Sequence, residues 1–225
     1  MRFDLEYAVD KFGTVFQYAG MTMRIAVISM VLTLVLALVV TLVRYYRIRI
    51  ACPVVNAYID LFRGTPLMVQ LFFVYYGLPQ IWPVFVNMTG YTAAIIGLTL
   101  NTAAYMTEDM RSALESVPRG QIEGGLAMGL TELQVMRHIT LPQAIKVVIP
   151  ILGNEFIALI KNSSMAFTLG VREIMAEAAL LGTSSGRFFE MYLDAFIIYF
   201  VICKLISVLQ KQIEKKLHTQ GGGAH

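Results

Sequence analysis

A run of apolar residues from Gly20 to Val43 is the feature that most constrains how this chain folds. Its side chains are hydrophobic apart from small hydroxyl groups and Arg24. A helix rises about 1.5 Å per residue, so the run is long enough to cross a hydrocarbon layer of roughly 30 Å. Because 57% of the residues are hydrophobic and only 15% are charged, the sequence predicts an all-α integral membrane protein.

Further stretches pass the same length test, although polar residues within them weaken the hydropathy signal. They are Val54–Gly77, Thr92–Ala113, Gln143–Ala166 and Met191–Gln210. We therefore expect about five membrane-spanning helices, a number that places the two chain ends on opposite sides. The transmembrane domain would cover residues 20–210, between an N-terminal segment of residues 1–19 and a tail of residues 211–225.

The positions of the basic residues predict the orientation. They follow the first and the last predicted span, at Arg44, Arg47, Arg49, Lys211, Lys215 and Lys216. The connection Leu78–Tyr91 carries no charge. Since cytoplasmic loops are enriched in Lys and Arg, we expect the N-terminus outside a bacterial inner membrane and the C-terminus in the cytoplasm. Trp82 and nearby tyrosines favour an external interface at Leu78–Tyr91, with a buried aromatic cluster as the alternative.

The longest hydrophilic segment, residues 115–142, falls on the cytoplasmic side of this topology. A helix is expected to start at Pro118 and to stop at Gly129, a residue that accepts positive φ. Thr131 and Gln134 have the spacing of a capping box, so a second helix is expected to run from there to Pro142. Such a helix, glycine corner and helix suits docking into a groove on a partner, although a hairpin packed on its own protein has the same pattern.

The residues of this segment resemble the loop motif E-A-A-x3-G-x9-I-x-L-P of ABC-importer permeases. The matching positions are Glu123, Gly124, Gly125, Gly129, Ile139, Leu141 and Pro142. The two alanines of the motif are glycines here, which keeps the side chains small but weakens the local helix by about 0.5–1 kcal/mol for each glycine. The resemblance implies that these residues couple the chain to an ATPase subunit.

A second resemblance points to the polar amino-acid uptake branch of that family. The run from Asp60 to Gln70 is similar to the branch signature, and further matches are Ala104, Tyr105, Glu108, Arg111, Gly120, Gln121 and Lys161–Ser164. Together the two resemblances imply the type I permease fold of ABC importers. They also imply import of a polar amino acid by alternating access between inward-open and outward-open states.

Polar side chains inside the predicted spans are candidates for substrate binding, because such groups are costly in a bilayer. The candidates are Gln70, Asn101, Tyr105, Glu108, Asn162 and Ser163. Three of them, Asn101, Tyr105 and Glu108, share one helical face and would hold the zwitterionic head of an amino acid. Hydrogen bonding between helices is the rival explanation.

A group with an expected structural and gating role lies in the second span. It comprises Asp60, Arg63, Gly64, Thr65 and Pro66. Thr65 and Pro66 are expected to break the helix, and Gly64 to permit close packing. Arg63 is expected to pair with Asp60, or with Glu108 or Asp109 of the third span.

Asn162 stands where relatives commonly carry an acidic residue after the lysine. The amide lacks a counter-charge for a cationic side chain, so we expect a neutral polar substrate rather than arginine or lysine. Glu108 remains as a source of negative charge for a cationic side chain.

The sequence contains no G-x-x-x-x-G-K-[ST] motif and no H-E-x-x-H metal pair, so ATP and Mg²⁺ are expected in a partner rather than in this chain. The resemblance implies two ATP-binding subunits, a second permease copy or homologue, and an external solute-binding protein. A nucleic-acid partner is not expected at a net charge of +3 with scattered basic residues. A secondary transporter or a channel subunit is the alternative, although the repeats typical of secondary transporters are not evident.

Overall fold

The computed structural model describes residues 3–219 of the chain, with side chains as far as residue 215. The regular structure within that part is helical. Its α-helices are α1 Leu5–Phe16, α2 Ala19–Tyr45, α3 Ala51–Gly64, α4 Leu67–Phe72, α5 Leu78–Ile81, α6 Gly90–Glu115, α7 Arg119–Ala127, α8 Glu132–Val135, α9 Leu141–Asn162, α10 Ile174–Ser185 and α11 Phe188–Thr219. Helix α11 continues into the predicted tail, and the rest of that tail and the side chain of Lys216 lie outside the described residues.

Helices α2 and α6 form the central pair and pack along each other more extensively than any other two helices. The buried face of α2 carries small residues such as Ala26, Thr33 and Ala37, which allow two helix backbones to approach closely in a membrane. The Thr33 hydroxyl donates to the carbonyl of Thr99 at 3.4 Å, and Ala37 packs in one cluster with Ala103. The two helices therefore run parallel.

Helix α6 is the most enclosed of the long helices. Within the described residues, three stretches are long and apolar enough to cross a membrane by composition, namely Ala19–Tyr45, Glu132–Leu169 and Phe188–Lys215. Helix α6 has 26 residues, but polar residues such as Asn101, Thr102 and Thr107 lower its hydropathy. These side chains are buried, so neighbouring helices rather than lipid surround them. The expected count of about five spans remains a prediction.

The second predicted span, Val54–Gly77, is not one continuous helix. Helix α3 ends at Gly64, Thr65 is extended with ψ 150°, and α4 begins after Pro66. Since the residue before a proline avoids helical ψ, this break follows directly from the Thr65–Pro66 pair. Within the single chain Gly64 makes no close packing contact, because a β-carbon there would meet nothing within 4 Å.

The chain beyond the break returns to helix at once. A π-helical turn, Phe73–Gly77, follows α4 and leads into α5, and a 3-10 turn, Pro83–Phe85, precedes α6. The uncharged connection Leu78–Tyr91 therefore contains short helical elements. Trp82 is 52% exposed, which excludes a buried setting for this ring within the single chain.

The helix expected to stop at Pro142 continues through it. A π-helical turn, Met136–Thr140, joins α8 to α9, and Pro142 lies in the first turn of α9. Proline is tolerated there because the preceding π turn widens the helix at the point where the N–H of Pro142 is missing. The capping box at the start is confirmed, since the Gln134 side chain accepts from Thr131 N at 2.8 Å and the Thr131 hydroxyl accepts from Gln134 N at 3.3 Å.

Helices α1, α10 and the first turns of α11 form a separate small bundle around buried Val15, Ile174 and Met191. Polar contacts hold it together. The Asp4 carboxylate pairs with Arg187 at 2.6 Å, and the buried Glu173 carboxylate accepts from Tyr199 at 2.5 Å. The Glu173 carboxylate also accepts from the hydroxyl of Thr22 at 3.2 Å, which ties this bundle to α2.

Candidate functional site

The centre of the polar interior is an amide pair on α4 and α6. The Asn101 side chain donates to Gln70 Oε1 at 2.9 Å, and both residues are more than nine-tenths buried. Helix α4 comes close enough for this bond because Gly97 of α6 faces Leu71. A β-carbon at Gly97 would lie 2.6 Å from Leu71 Cδ2. The structure therefore brings two of the predicted substrate residues together.

The same amides satisfy backbone groups at the break after α3. The last carbonyls of a helix lack intrahelical donors, and inside a membrane they need partners from side chains. Gln70 Nε2 donates to the carbonyls of Phe62 at 2.9 Å and Thr65 at 3.0 Å, and Asn101 donates to that of Phe62 at 3.3 Å. The Thr65 hydroxyl donates to the Leu61 carbonyl at 2.7 Å. The NH₂ groups of both amides are thus engaged by the protein itself.

The Tyr105 ring lies beside this break. Its hydroxyl reaches the carbonyl of Arg63 at 3.5 Å, and the Arg63 guanidinium sits 5.6 Å from the centre of the ring. The tyrosine side chain is 40% exposed, so one face remains open. Arg63 therefore forms a cation–π contact rather than the ion pair expected with Asp60.

Glu108 lies apart from the amide pair, in an ion cluster at the end of α6. Its carboxylate pairs with Arg44 of α2 and, at 3.0 Å, with Arg111, which also contacts Glu115 at 2.6 Å. Of the expected alternatives for Arg63, the pairing with Glu108 is therefore wrong, whereas Asp109 lies close enough to Arg63 to feel its charge. Two arginines neutralise the carboxylate of Glu108, so this cluster joins the ends of α2 and α6.

Glu155 of α9 is an ionisable residue that the sequence reasoning missed. Its side chain is partly buried inside the long apolar stretch and lies close enough to Asp109 of α6 to feel its charge. Within the described residues Glu155 forms no ion pair. The signal was available, since an ionisable residue within the predicted span Gln143–Ala166 marks a functional position in a membrane helix.

Asn162 lies two helical turns from Glu155, at the end of α9, and therefore on the same side of that helix. A 3-10 segment, Ser163–Leu169, follows and meets the start of α6, where a β-carbon at Gly90 would overlap the Leu169 carbonyl. The Ser163 hydroxyl is buried and donates to the Ile160 carbonyl at 2.8 Å. Asn162 and Glu155 are thus two polar groups on one side of α9.

The docking segment has the predicted corner. Helix α7 ends at Ala127, and Gly129 has φ +89°, a conformation that disfavours other residues. Its N–H bonds the Leu126 carbonyl at 3.0 Å, and Met128 at the tip is 86% exposed.

The two glycines after Glu123 face different ways. A β-carbon at Gly124 would meet nothing within 4 Å, whereas one at Gly125 would lie 2.7 Å from Ile139 Cδ1. Gly125 therefore brings α7 against the turn that carries Ile139, and this close approach lies within the chain. The exposed residues of the motif are Glu123, Gly124, Gly129, Leu141 and Pro142, and Met128 at the tip is exposed as well.

Comparison with known proteins decides the family. A model described as "Binding-protein-dependent transport system inner membrane component" matches residues 34–219. The chain belongs to this family. It is thus an inner-membrane component of an ABC transporter, and members of this family carry no ATPase site of their own.

Relatives of this transport component cover nearly its whole length. It is 43% identical over 97% of its length, and 98% of the relative, to a probable amino-acid ABC transporter permease protein, PatM, of Vibrio harveyi. It is 42% identical to a probable amino-acid permease protein, YxeN, of Bacillus subtilis, over 95% of this chain and 96% of the relative.

A solved structure described as an amino acid ABC transporter with histidines superposes with a TM-score of 0.89. The identity is 32%, covering 96% of this chain and 100% of that chain. The predicted type I permease fold is confirmed by this match and the family match.

The amide pair yields a prediction about stability. Gln70→Leu and Asn101→Leu should each destabilise the transport component by about 1–3 kcal/mol, because each leaves buried polar groups without partners. The double variant should lose less than the sum of the two, with a coupling of about 0.5–2 kcal/mol. Denaturant unfolding of the purified protein in detergent micelles measures all three. Ser184→Ala, at an exposed hydroxyl on α10, is the control, and strictly additive losses would contradict the pairing.

Proposed function

We propose that this chain is the membrane-spanning subunit of an ATP-driven importer for a polar amino acid. The observation that carries the proposal is the docking segment, where the exposed tip at Met128 is followed by Gly129, a glycine of positive φ within the coupling motif. ATP and Mg²⁺ bind to partner subunits. When these subunits close around ATP, they move the docking segment. The names of the relatives supply the substrate class.

The assembly contains more than this chain. Residues Tyr105 and Asp109 on α6, together with Glu155 on α9, form a partly open polar face that one chain leaves incomplete. A second copy or a homologous permease therefore lines the path from the opposite side. An external solute-binding protein delivers the amino acid.

The N-terminus lies outside and the C-terminus in the cytoplasm. The arginines after α2 and the lysines near the end of α11 support this orientation through the positive-inside rule. In a variant without the native cysteines, an impermeant thiol reagent added to intact cells should label Ser184→Cys and spare Lys211→Cys. The reverse pattern of labelling would overturn the orientation.

Within the path we assign different roles to the predicted substrate residues. Gln70, Asn101 and Ser163 hold the broken span and the end of α9 in place through the hydrogen bonds described above. Glu108, neutralised by two arginines, belongs to the same structural set. The substrate contacts fall to Tyr105 and Asn162, with Glu155 as the added carboxylate.

The charges on this face favour a neutral polar amino acid. The charge of Asp109, the second carboxylate of the face, is partly offset by the nearby guanidinium of Arg63. Glu155 offers one carboxylate to the ammonium group that every amino acid carries. Asn162 offers hydrogen bonds but no second negative charge for a cationic side chain. The selectivity of the path thus depends on an acid at position 155 and an amide at position 162.

The selectivity proposal gives opposite results for two substitutions. Asn162→Asp should shift relative affinity toward arginine or lysine by about tenfold or more, since a partly desolvated charge contact contributes a few kcal/mol. Glu155→Gln should weaken the binding of every amino acid by a similar factor. Equilibrium binding to the purified complex without the solute-binding protein measures both. Unchanged affinities in both variants would contradict the assignment.

Coupling is tested at Gly129. Gly129→Val should reduce substrate-stimulated ATP hydrolysis by the assembled complex, because a β-branched residue is strained by about 1–2 kcal/mol at positive φ. Gly129→Asn should retain most of the stimulation, since asparagine tolerates this conformation. The measurement is ATPase activity with and without amino acid and binding protein. Wild-type stimulation in Gly129→Val would contradict the docking role.

A further inference from the structure

A basic cavity lies at the end of α2, away from the path residues. Its volume is about 820 Å³, and it opens between the ends of α2 and α6 and the inner side of α7. Four arginines line it, namely Arg44, Arg47, Arg111 and Arg119. Two glutamates, Glu115 and Glu132, are the acidic members of the lining. The lining thus carries two more positive than negative side chains, before the Glu108 carboxylate that pairs with Arg44 and Arg111 is counted.

The four arginines differ in how far they are already neutralised. Arg44 and Arg111 share the carboxylate of Glu108, and Arg111 also pairs with Glu115. Arg47 and Arg119 form no ion pair within the part of the chain that the structure describes. Two guanidinium groups thus remain to bind a ligand, and guanidinium binds phosphate oxygens in a bidentate manner.

Arg47 lines the cavity from a strained backbone conformation. Arg47 has φ +50°, the one positive φ at a non-glycine residue within the described chain. Its N–H bonds the Arg44 carbonyl at 3.1 Å, which turns the chain sharply after α2. Residues held in such conformations are commonly found at binding sites.

An apolar stripe on α2 leads to the same cavity. Leu38, Leu42 and Tyr45 lie on one side of the helix and are 52%, 43% and 48% exposed. Tyr45 also lines the cavity, so the stripe reaches its rim. Tyrosine at such a place has an apolar ring and a polar tip, which suits the boundary between hydrocarbon and headgroups.

We propose that this cavity binds the phosphodiester headgroup of an anionic phospholipid, whose acyl chains lie along the Leu38–Leu42–Tyr45 stripe. The leaflet, but not the binding, rests on the orientation proposed above. A free phosphate satisfies the arginines equally, but only a lipid also uses the stripe. Because Arg119 belongs to α7, the bound lipid links the end of α2 to the docking segment.

The test is binding of phosphatidylglycerol to the purified complex in detergent micelles, followed by native mass spectrometry. Wild-type complex should retain phosphatidylglycerol at concentrations where phosphatidylcholine is lost. Arg47→Asn should weaken this binding about tenfold, since it removes one charged hydrogen-bonding contact to the headgroup. Asparagine is chosen because it tolerates positive φ. Arg47→Lys, which keeps the charge, should retain most of the binding.

Arg49→Asn is the matched control, because Arg49 is exposed, two residues away, and outside the cavity. Equal loss in the two asparagine variants would overturn the site and leave only a general surface attraction. Displacement of the lipid by millimolar inorganic phosphate or ATP would overturn the lipid assignment. Micelles have no sidedness, so a wrong orientation or substrate leaves these outcomes unchanged.

Discussion

The rest of the structure depends on one constraint, namely the carbonyl groups at the break between α3 and α4 that have no hydrogen-bond partner within their own helix. No water is available in a bilayer to satisfy them, so side chains must. Gln70 of α4, Asn101 and Tyr105 of α6, and Thr65 of the break itself meet this need. The broken span is therefore held in one position against α6, and the polar face of the path is built around it.

This requirement explains why α6 is polar and enclosed. A helix that supplies Asn101 and Tyr105 cannot face lipid along its length, so α2 covers it with a face of small residues. Hydropathy, which measures the affinity of a segment for lipid, underestimates such a helix. Length and spacing nevertheless predicted its position, because they do not depend on what surrounds the helix.

Local chemistry was predictable where neighbours in sequence decide it. The break at Thr65–Pro66, the capping box at Thr131 and the stop at Gly129 all follow from backbone rules. Contacts between segments that are distant in the sequence were not predictable. The partners of Arg63 and Glu108 depend on how α2, α3 and α6 pack together. The helix continues through Pro142 because of a π turn, and no sequence motif predicts that turn. Glu155 was overlooked, although its position alone marks it.

The central claim is that ATP hydrolysed by a partner moves an amino acid through this chain. Its direct test is accumulation of labelled amino acid by liposomes that contain the purified complex and the solute-binding protein. We predict accumulation against the gradient that requires ATP on the ATPase side, stops with a non-hydrolysable analogue and is unaffected by an ionophore. Accumulation that does not require ATP and is abolished by the ionophore would contradict the claim.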